Sequence, residues 1–137
     1  MKASDMMARL QSPSLSTRIE ATYQLEREDF DDSEVLAAVR ENLSLDDPDL
    51  LDITIMRLLL RGRDKCSVER VLSLIESTRD NLVFSSGVLS LSGLAGHSAD
   101  IREEVLRRFE LFSRDWLEPK NITLLEREIT KLHKMTA

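Results

Sequence analysis

The chain has 137 residues, of which 42% are hydrophobic and 32% are charged, and its formal net charge at pH 7 is −6. The length predicts a single domain over residues 1–137, and the composition is that of a globular protein, which excludes a disordered chain. The acidic charge argues against nucleic acid as the main partner, because phosphate binding needs a basic surface.

The cysteine content and the N-terminus indicate the cellular setting. Cys66 has no second cysteine to pair with, which excludes an intramolecular disulfide and a four-thiolate zinc site. The first ten residues contain no apolar segment of signal-peptide length. We therefore expect a cytoplasmic protein in a reducing environment.

Apolar residues recur with helical spacing along nearly the whole chain, and no segment reads convincingly as a strand. We predict eight helices, at about 4–10, 14–28, 33–43, 48–61, 68–77, 81–96, 98–114 and 119–134. Ser33 is the predicted N-cap of the third helix, Pro48 suits the first turn of the fourth, and Gly62 suits its end. In the second helix we expect one side to be buried, formed by Leu15, Ile19, Tyr23 and Leu25.

The longest segment without a charged residue is 81–99, which contains the sixth predicted helix. Its many serines and glycines argue against a membrane span, which needs about 20 mostly apolar residues. A helix without charge on any side is more simply enclosed by protein. Gly87 and Gly93 each lower helix propensity by about 1 kcal/mol relative to alanine, so we expect close packing there in compensation. Gly96 is predicted to end this helix in a left-handed conformation.

Three segments of the chain repeat one pattern, in which a charged residue precedes Val-Leu and an apolar residue follows three positions after the leucine. They are 34–39, 70–75 and 104–109. The valines of these segments lie 36 and 34 residues apart, and the starts of the preceding helices lie 35 and 33 residues apart. Self-similarity at this period is typical of stacked helix pairs.

The repeated pattern resembles that of HEAT-repeat proteins over roughly residues 14–114, through Val-Leu in the second helix of each pair and proline near the start of two first helices. The resemblance implies an all-α, right-handed stack of about three antiparallel helix pairs, an α-solenoid. The last helix has one apolar stripe and charges elsewhere, which suits a cap at the end of the stack. Another stack of antiparallel helix hairpins and a closed helical bundle are the alternatives.

Acidic residues are concentrated between residues 26 and 52, where eleven Asp and Glu face two Arg, a net charge of −9. One interpretation is helix capping and a solvated surface. The other is an electronegative site for a basic protein, which would speed and orient association. A calcium loop is a third, weaker interpretation, since segment 29–34 lacks the twelve-residue spacing and the central glycine. The predicted partner-binding residues are Glu28, Asp29, Asp31, Asp32, Asp46, Asp47 and Asp49.

No residue pattern predicts a catalytic, cofactor-binding or metal site. His97 and His133 have no second histidine or cysteine at metal-ligand spacing. Cys66 has no histidine or asparagine close to it in sequence that would suggest catalysis. Trp116, together with the two phenylalanines before it, either seats the last helix or forms a binding hot spot.

These features predict a non-enzymatic protein-binding module with one protein partner, since repeat stacks present extended surfaces to other macromolecules. The specific form that we expect is an immunity protein that neutralises a basic toxin domain through an acidic N-terminal surface. A generic adaptor or assembly scaffold is an alternative. A small helical-repeat enzyme acting on nucleic acid is another, although it would need a basic groove. We expect no cofactor and no membrane association.

Overall fold

The computed structural model describes residues 3–136, and every regular element in this range is a helix, which confirms the predicted all-α class. The α-helices are α1 (Ala3–Leu10), α2 (Leu15–Tyr23), α3 (Ser33–Glu41), α4 (Pro48–Met56), α5 (Val68–Ser77), α6 (Asn81–Gly96), α7 (Ala99–Leu111) and α8 (Pro119–Thr136). Turns of 3-10 helix lie at Arg27–Asp31, Asn42–Ser44 and Lys65–Ser67, and α4 continues into one π-helical turn at Arg57–Arg61. Over residues 3–136, no helix has both the length and the apolar character needed to cross a membrane.

Aspartate side chains cap the N-termini of three helices. Asp32, Asp47 and Asp80 accept hydrogen bonds from backbone N–H groups in the first turns of α3, α4 and α6. These bonds satisfy donors that a helix N-terminus otherwise leaves unpaired. The prediction that Ser33 caps α3 is wrong, because Asp32 takes that role and Ser33 is the first helical residue. Pro48 lies in the first turn of α4, as predicted.

The second helix ends earlier than predicted, at Tyr23. Beyond it, Glu26 and Asp29 form a capping box around a 3-10 turn, which replaces the last turns of the predicted α-helix. The predicted buried side is right at Leu25, which is 1% exposed, but wrong at Leu15 and Tyr23, which are 42% and 63% exposed. The buried stripe instead runs through Ala21, Thr22 and Leu25.

α6 lies at the centre of the fold and packs against α4, α5, α7 and α8. Phe84, Val88 and Leu91 of this helix are fully buried, and burial of such side chains contributes roughly 1.5–3 kcal/mol each. Gly87 lies so close to α5 that a Cβ atom there would overlap with Cγ2 of Ile75. The predicted close packing at Gly87 is therefore confirmed.

The prediction that α6 is enclosed on all sides is wrong along one stripe. Leu82 and Leu89 are 43% and 47% exposed. Gly96 ends α6 as predicted, but no glycine in residues 3–136 has a positive φ. The backbone N–H of His97 instead donates to the carbonyl oxygen of Leu94, which tightens the last turn without a left-handed residue.

Hydrogen bonds tie α6 to the helices on either side of it. Ser86 donates to the carbonyl oxygen of Asp52 in α4 at 3.1 Å. Ser92 donates to the carboxylate of Glu128 in α8 at 2.6 Å. Two serines of the charge-free segment thus find their acceptors on neighbouring helices.

Trp116 seats the turn before α8 against the core. Its ring meets the ring of Phe84 edge-on, with the centroids 5.5 Å apart, and Phe112 meets Phe84 in the same manner at 5.9 Å. Edge-to-face aromatic pairs at these distances are favourable. Arg79 lies over the Trp116 ring at 5.5 Å. This packing favours the structural interpretation of Trp116 over a binding hot spot.

Candidate functional site

Three of the seven predicted partner-binding residues act as caps. Asp32 and Asp47 begin α3 and α4, and Asp47 accepts the N–H of Leu50 at 2.9 Å. Asp29 accepts the N–H of Glu26 at 2.8 Å. Negative charge at these places also suits the positive end of the helix dipole. These three carboxylates therefore have a structural role, whatever else they bind.

The other four predicted residues, Glu28, Asp31, Asp46 and Asp49, are exposed. Asp31 forms an ion pair of 3.8 Å with Arg27, and the remaining three form none within residues 3–136. The two acidic loops lie before and after α3, a helix of nine residues, so roughly 14 Å of helix separates them. The structure thus places the predicted residues in two loops at opposite ends of α3.

The two histidines and the cysteine are all exposed. His133 pairs with Glu110 at 3.1 Å on the surface, and Cys66 is exposed in the loop before α5. His97 is also exposed and lines a pocket described below. In the part of the chain that the structure describes, no three histidine, cysteine, aspartate or glutamate side chains are grouped closely enough to hold a metal ion.

The residue pattern does not predict an exposed apolar surface that α2, α4 and α6 form together. We call it the apolar face and define it by Tyr23, Met56, Leu60, Leu82 and Leu89. These side chains are between 40% and 63% exposed. Large apolar side chains that cluster on a surface mark interaction sites, whereas isolated ones need no explanation.

Contacts between α4 and α6 place four of these side chains on one side of the molecule. Leu60 lies over Gly93, since its Cδ2 atom would be 2.7 Å from a Cβ atom at that glycine. Taken with the hydrogen bond from Ser86 to Asp52 nearer the N-termini, this contact shows that the two helices run in the same direction. Met56 precedes this contact on α4, and Leu89 precedes it on α6. Leu82 continues the same stripe of α6, seven residues before Leu89.

Within the apolar face, Arg57 after α4 contacts Tyr23 of α2. Its guanidinium carbon lies 4.8 Å from the centroid of the Tyr23 ring, in a cation–π contact. A pocket of about 130 Å³ lies between the C-terminal ends of α4 and α6, lined by Leu59, Leu60, Arg63, Gly93, Leu94 and His97. Sites for small ligands are larger, about 300–1,000 Å³, so this pocket suits one side chain of a partner.

α5 and α7 form a different surface, on which ion pairs connect the two helices. Arg108 of α7 binds Glu69 and Glu76 of α5 at 2.9 and 2.8 Å, and Lys65 pairs with Asp100 at 3.3 Å. Charges that are neutralised within the chain suit a solvated surface. The exposed stripe of α6 has no charged residue at all. The apolar face is therefore the surface that would gain most from a protein partner.

The sequence does contain a signal for the apolar face, the apolar character of the α4 and α6 segments on nearly every side. An enclosed helix and a helix with one open apolar stripe have the same composition, so this signal does not reveal the opening. The candidate site thus consists of the apolar face and, apart from it, the two acidic loops. Comparison of the chain with protein-family models, with curated proteins and with solved structures finds no match.

Proposed function

We propose that this protein is a non-enzymatic binding module that holds one partner protein against its apolar face. The observation that carries the proposal is a set of five large side chains on adjacent helices, each at least 40% exposed. Tyrosine, methionine and arginine are enriched at the centres of protein interfaces, and all three are present here.

We also infer that the helices form a HEAT-like stack of antiparallel pairs, in which α8 is the cap. Side-chain hydrogen bonds link the π-helical turn after α4 to the 3-10 turn after α2, α6 to α4 and α8 to α6 at separations of 35, 34 and 36 residues. These bonds are Arg61 to Glu26, Ser86 to Asp52 and Ser92 to Glu128. The separations equal the period of the sequence repeat, as expected when equivalent helices of successive pairs lie side by side.

Affinity capture from the native cell tests the proposed function. Leu89→Glu places a charge in the apolar face and should remove the partner that the unaltered protein retains. Leu111→Glu is the matched control, because Leu111 is 71% exposed at the end of α7, outside the apolar face. Circular dichroism should show both variants folded. Recovery of the same partner by both variants would refute the proposal.

The acidic loops support a second, narrower candidate, an immunity-type protein that neutralises a basic toxin domain. Glu28, Asp46 and Asp49 are exposed and outside the ion pairs of residues 3–136, which leaves them free to face a basic surface. Lysine at positions 46 and 49 should slow association with such a partner and reduce its salt dependence. An unchanged association rate would reject this candidate and leave an adaptor or scaffold role on the apolar face.

A further inference from the structure

Arg57 is a partly buried arginine without a hydrogen-bond acceptor. It is the first residue of the π-helical turn, a feature that often accompanies functional sites. Its Nε atom is buried and has no partner, and no carboxylate in residues 3–136 lies within ion-pair distance of it. Glu26 is close enough to favour the charge of Arg57, but its carboxylate binds Arg61 at 3.2 Å.

The other partly buried arginines of residues 3–136 all have a partner, which is a hydrogen-bond acceptor for five of them and an ion pair of 3.6 Å with Glu20 for Arg9. They are Arg9, Arg18, Arg40, Arg102, Arg108 and Arg114. A buried donor on a charged group is costly when it stays unpaired, and native proteins pair nearly all such groups. Two uncharged hydroxyls of residues 3–136, on Thr54 and Ser90, are also buried without a partner. Arg57 is, however, the one partly buried arginine of this range with neither a hydrogen-bond acceptor nor an ion-pair partner, so its acceptor is one that a bound molecule would supply.

The surroundings of Arg57 would strengthen an ion pair. Tyr23 lies under the guanidinium, and Met56 and Leu60 flank it along the chain. Burial, reinforced by the charge of Arg61, lowers the pKa of Arg57. Once a partner covers these side chains, water is excluded, and the attraction between guanidinium and an anion rises as the local dielectric falls.

We propose that Arg57 binds a carboxylate of the partner, and that this partner docks as an amphipathic helix whose apolar side covers the apolar face. The inference rests on the proposed function and adds the chemistry of the partner. The planar guanidinium matches a carboxylate with two parallel hydrogen bonds, and the donors for such a pair are the two terminal nitrogens, which are not fully buried and have no partner within residues 3–136. Stacking on Tyr23 holds the guanidinium in a fixed plane.

The dimensions of the apolar face fit a helix. Leu82 and Leu89 are seven residues apart, about 10 Å along α6. A partner helix with apolar residues at i, i+4 and i+7 covers the same span. A phosphate would also fit the fork of Arg57, but the apolar surroundings and the net charge of −6 oppose a nucleic acid. The carboxylate of a protein is therefore the anion that we assign.

A displayed library of helical peptides tests this inference on the full chain. The peptides are about 20 residues long, enough to be helical alone, with apolar residues fixed at i, i+4 and i+7 and the remaining positions varied. We expect the enriched peptides to share Asp or Glu at one position. Arg57→Gln should weaken their binding about 10- to 100-fold, and Arg57→Lys should weaken it less. Arg107→Gln, on the charged surface of α7, is the matched control and should bind normally.

A double-mutant cycle separates the pair from other effects. Replacing the shared Asp or Glu of a peptide by its amide should weaken binding to the unaltered protein but not to the Arg57→Gln variant. If Leu89→Glu abolishes binding and Arg57→Gln does not change it, the carboxylate inference fails and the proposed function stands. Binding that is insensitive to both substitutions rejects the apolar face, and with it both proposals.

The remaining outcomes of these experiments also test the inference. A library that yields no binder, or binders without a shared acidic position, overturns the inference, whereas affinity capture continues to test the proposed function. Sedimentation of the chain alone tests whether a second copy of this chain occupies the apolar face. Self-association that Leu89→Glu abolishes would assign the apolar face to that copy and overturn the inference.

Discussion

Ser92 of α6 donates a hydrogen bond of 2.6 Å to the carboxylate of Glu128, which lies on α8 and is only 5% exposed. Burial raises the pKa of Glu128, but the hydrogen bonds from Ser92 and Arg127, together with the charges of Lys131 and Arg127, outweigh burial, so the pKa lies below its ordinary value. The ionised carboxylate therefore stabilises the attachment of the last helix to the central one.

Ser92→Ala should destabilise the protein by about 1–3 kcal/mol at pH 7, because a buried carboxylate loses its charge-assisted hydrogen bond. A carboxyl with a depressed folded pKa stabilises the fold above its unfolded pKa, about 4.3 for Glu, and this contribution is lost as the pH falls through the folded pKa. The cost of Ser92→Ala should therefore shrink below about pH 4. Urea unfolding of both proteins at successive pH values measures it, and a cost that does not vary with pH would count against this account.

Gly87→Ala should be less stable than Gly93→Ala by about 2 kcal/mol. A Cβ atom at position 87 would overlap with Ile75 in the packed core, where neither side can yield. At position 93 the Cβ atom would meet only the end of the Leu60 side chain, which is 44% exposed and can turn away. Alanine also favours the helix by about 1 kcal/mol relative to glycine at both positions. Thermal unfolding of the two variants provides the measurement, and equal melting temperatures would disagree with this packing.

Arg40 of α3 donates two hydrogen bonds of 2.7 Å to the buried carboxylate of Asp64, in the loop before α5. Burial raises the pKa of Asp64, but the bonds from Arg40 and Ser67 outweigh burial, and the pKa is lower than usual. Arg40→Met should cost about 3 kcal/mol at pH 7, because an ionised, buried carboxylate loses its counter-ion.

The same substitution should raise the pKa of Asp64, which carboxyl NMR titration measures directly. Because the depressed pKa contributes stability above the unfolded pKa of Asp, about 3.9, the cost of Arg40→Met should decline as the pH falls below that value. Arg107→Met is the control, since Arg107 is exposed on α7. A pKa of Asp64 that stays low in Arg40→Met would show that Ser67 and the backbone suffice to hold the charge.

The parts of the fold that could be predicted have local causes. Asp47-Pro48 fixes the start of α4 through capping and backbone geometry, and the helical spacing of apolar residues predicts the all-α class. The errors in the prediction arise where the environment of a residue depends on residues that are distant in sequence. Tyr23 has the spacing of a buried residue on α2, yet it is 63% exposed, and its ring contacts Arg57, which lies 34 positions later in the chain.

The candidate site was harder to predict, because it depends on which sides of a helix stay uncovered. Leu89 and Leu91 are nearly equivalent as residues, but one is 47% exposed and the other is fully buried. Their exposed fractions differ because of how closely α4 and α8 approach each side of α6. The residue type does not reveal this. For the same reason, composition cannot distinguish an aspartate that caps a helix from one that is free to bind a partner.

Asp46 and Asp47 are adjacent, but only Asp47 caps α4, so substitutions can distinguish the capping role from a binding role. Asp47→Ala should cost about 1 kcal/mol, because the N–H of Leu50 loses its acceptor at the start of α4. Asp46 is exposed, so Asp46→Ala should change stability by less than about 0.5 kcal/mol. Asp47→Ser keeps a capping oxygen, removes the charge and should leave stability close to that of the unaltered protein. Urea unfolding at pH 7 compares the three.

Association kinetics of the same variants then decide whether the second acidic loop binds a basic partner. If its charge steers association, Asp46→Ala and Asp47→Ser should both lower the association rate, and the effect should weaken at high salt. Stability would be unchanged in both, so the loss could not be attributed to unfolding. If only Asp47→Ala weakens binding, the cap accounts for the whole effect, and the carboxylate charge of this loop has no part in recognition.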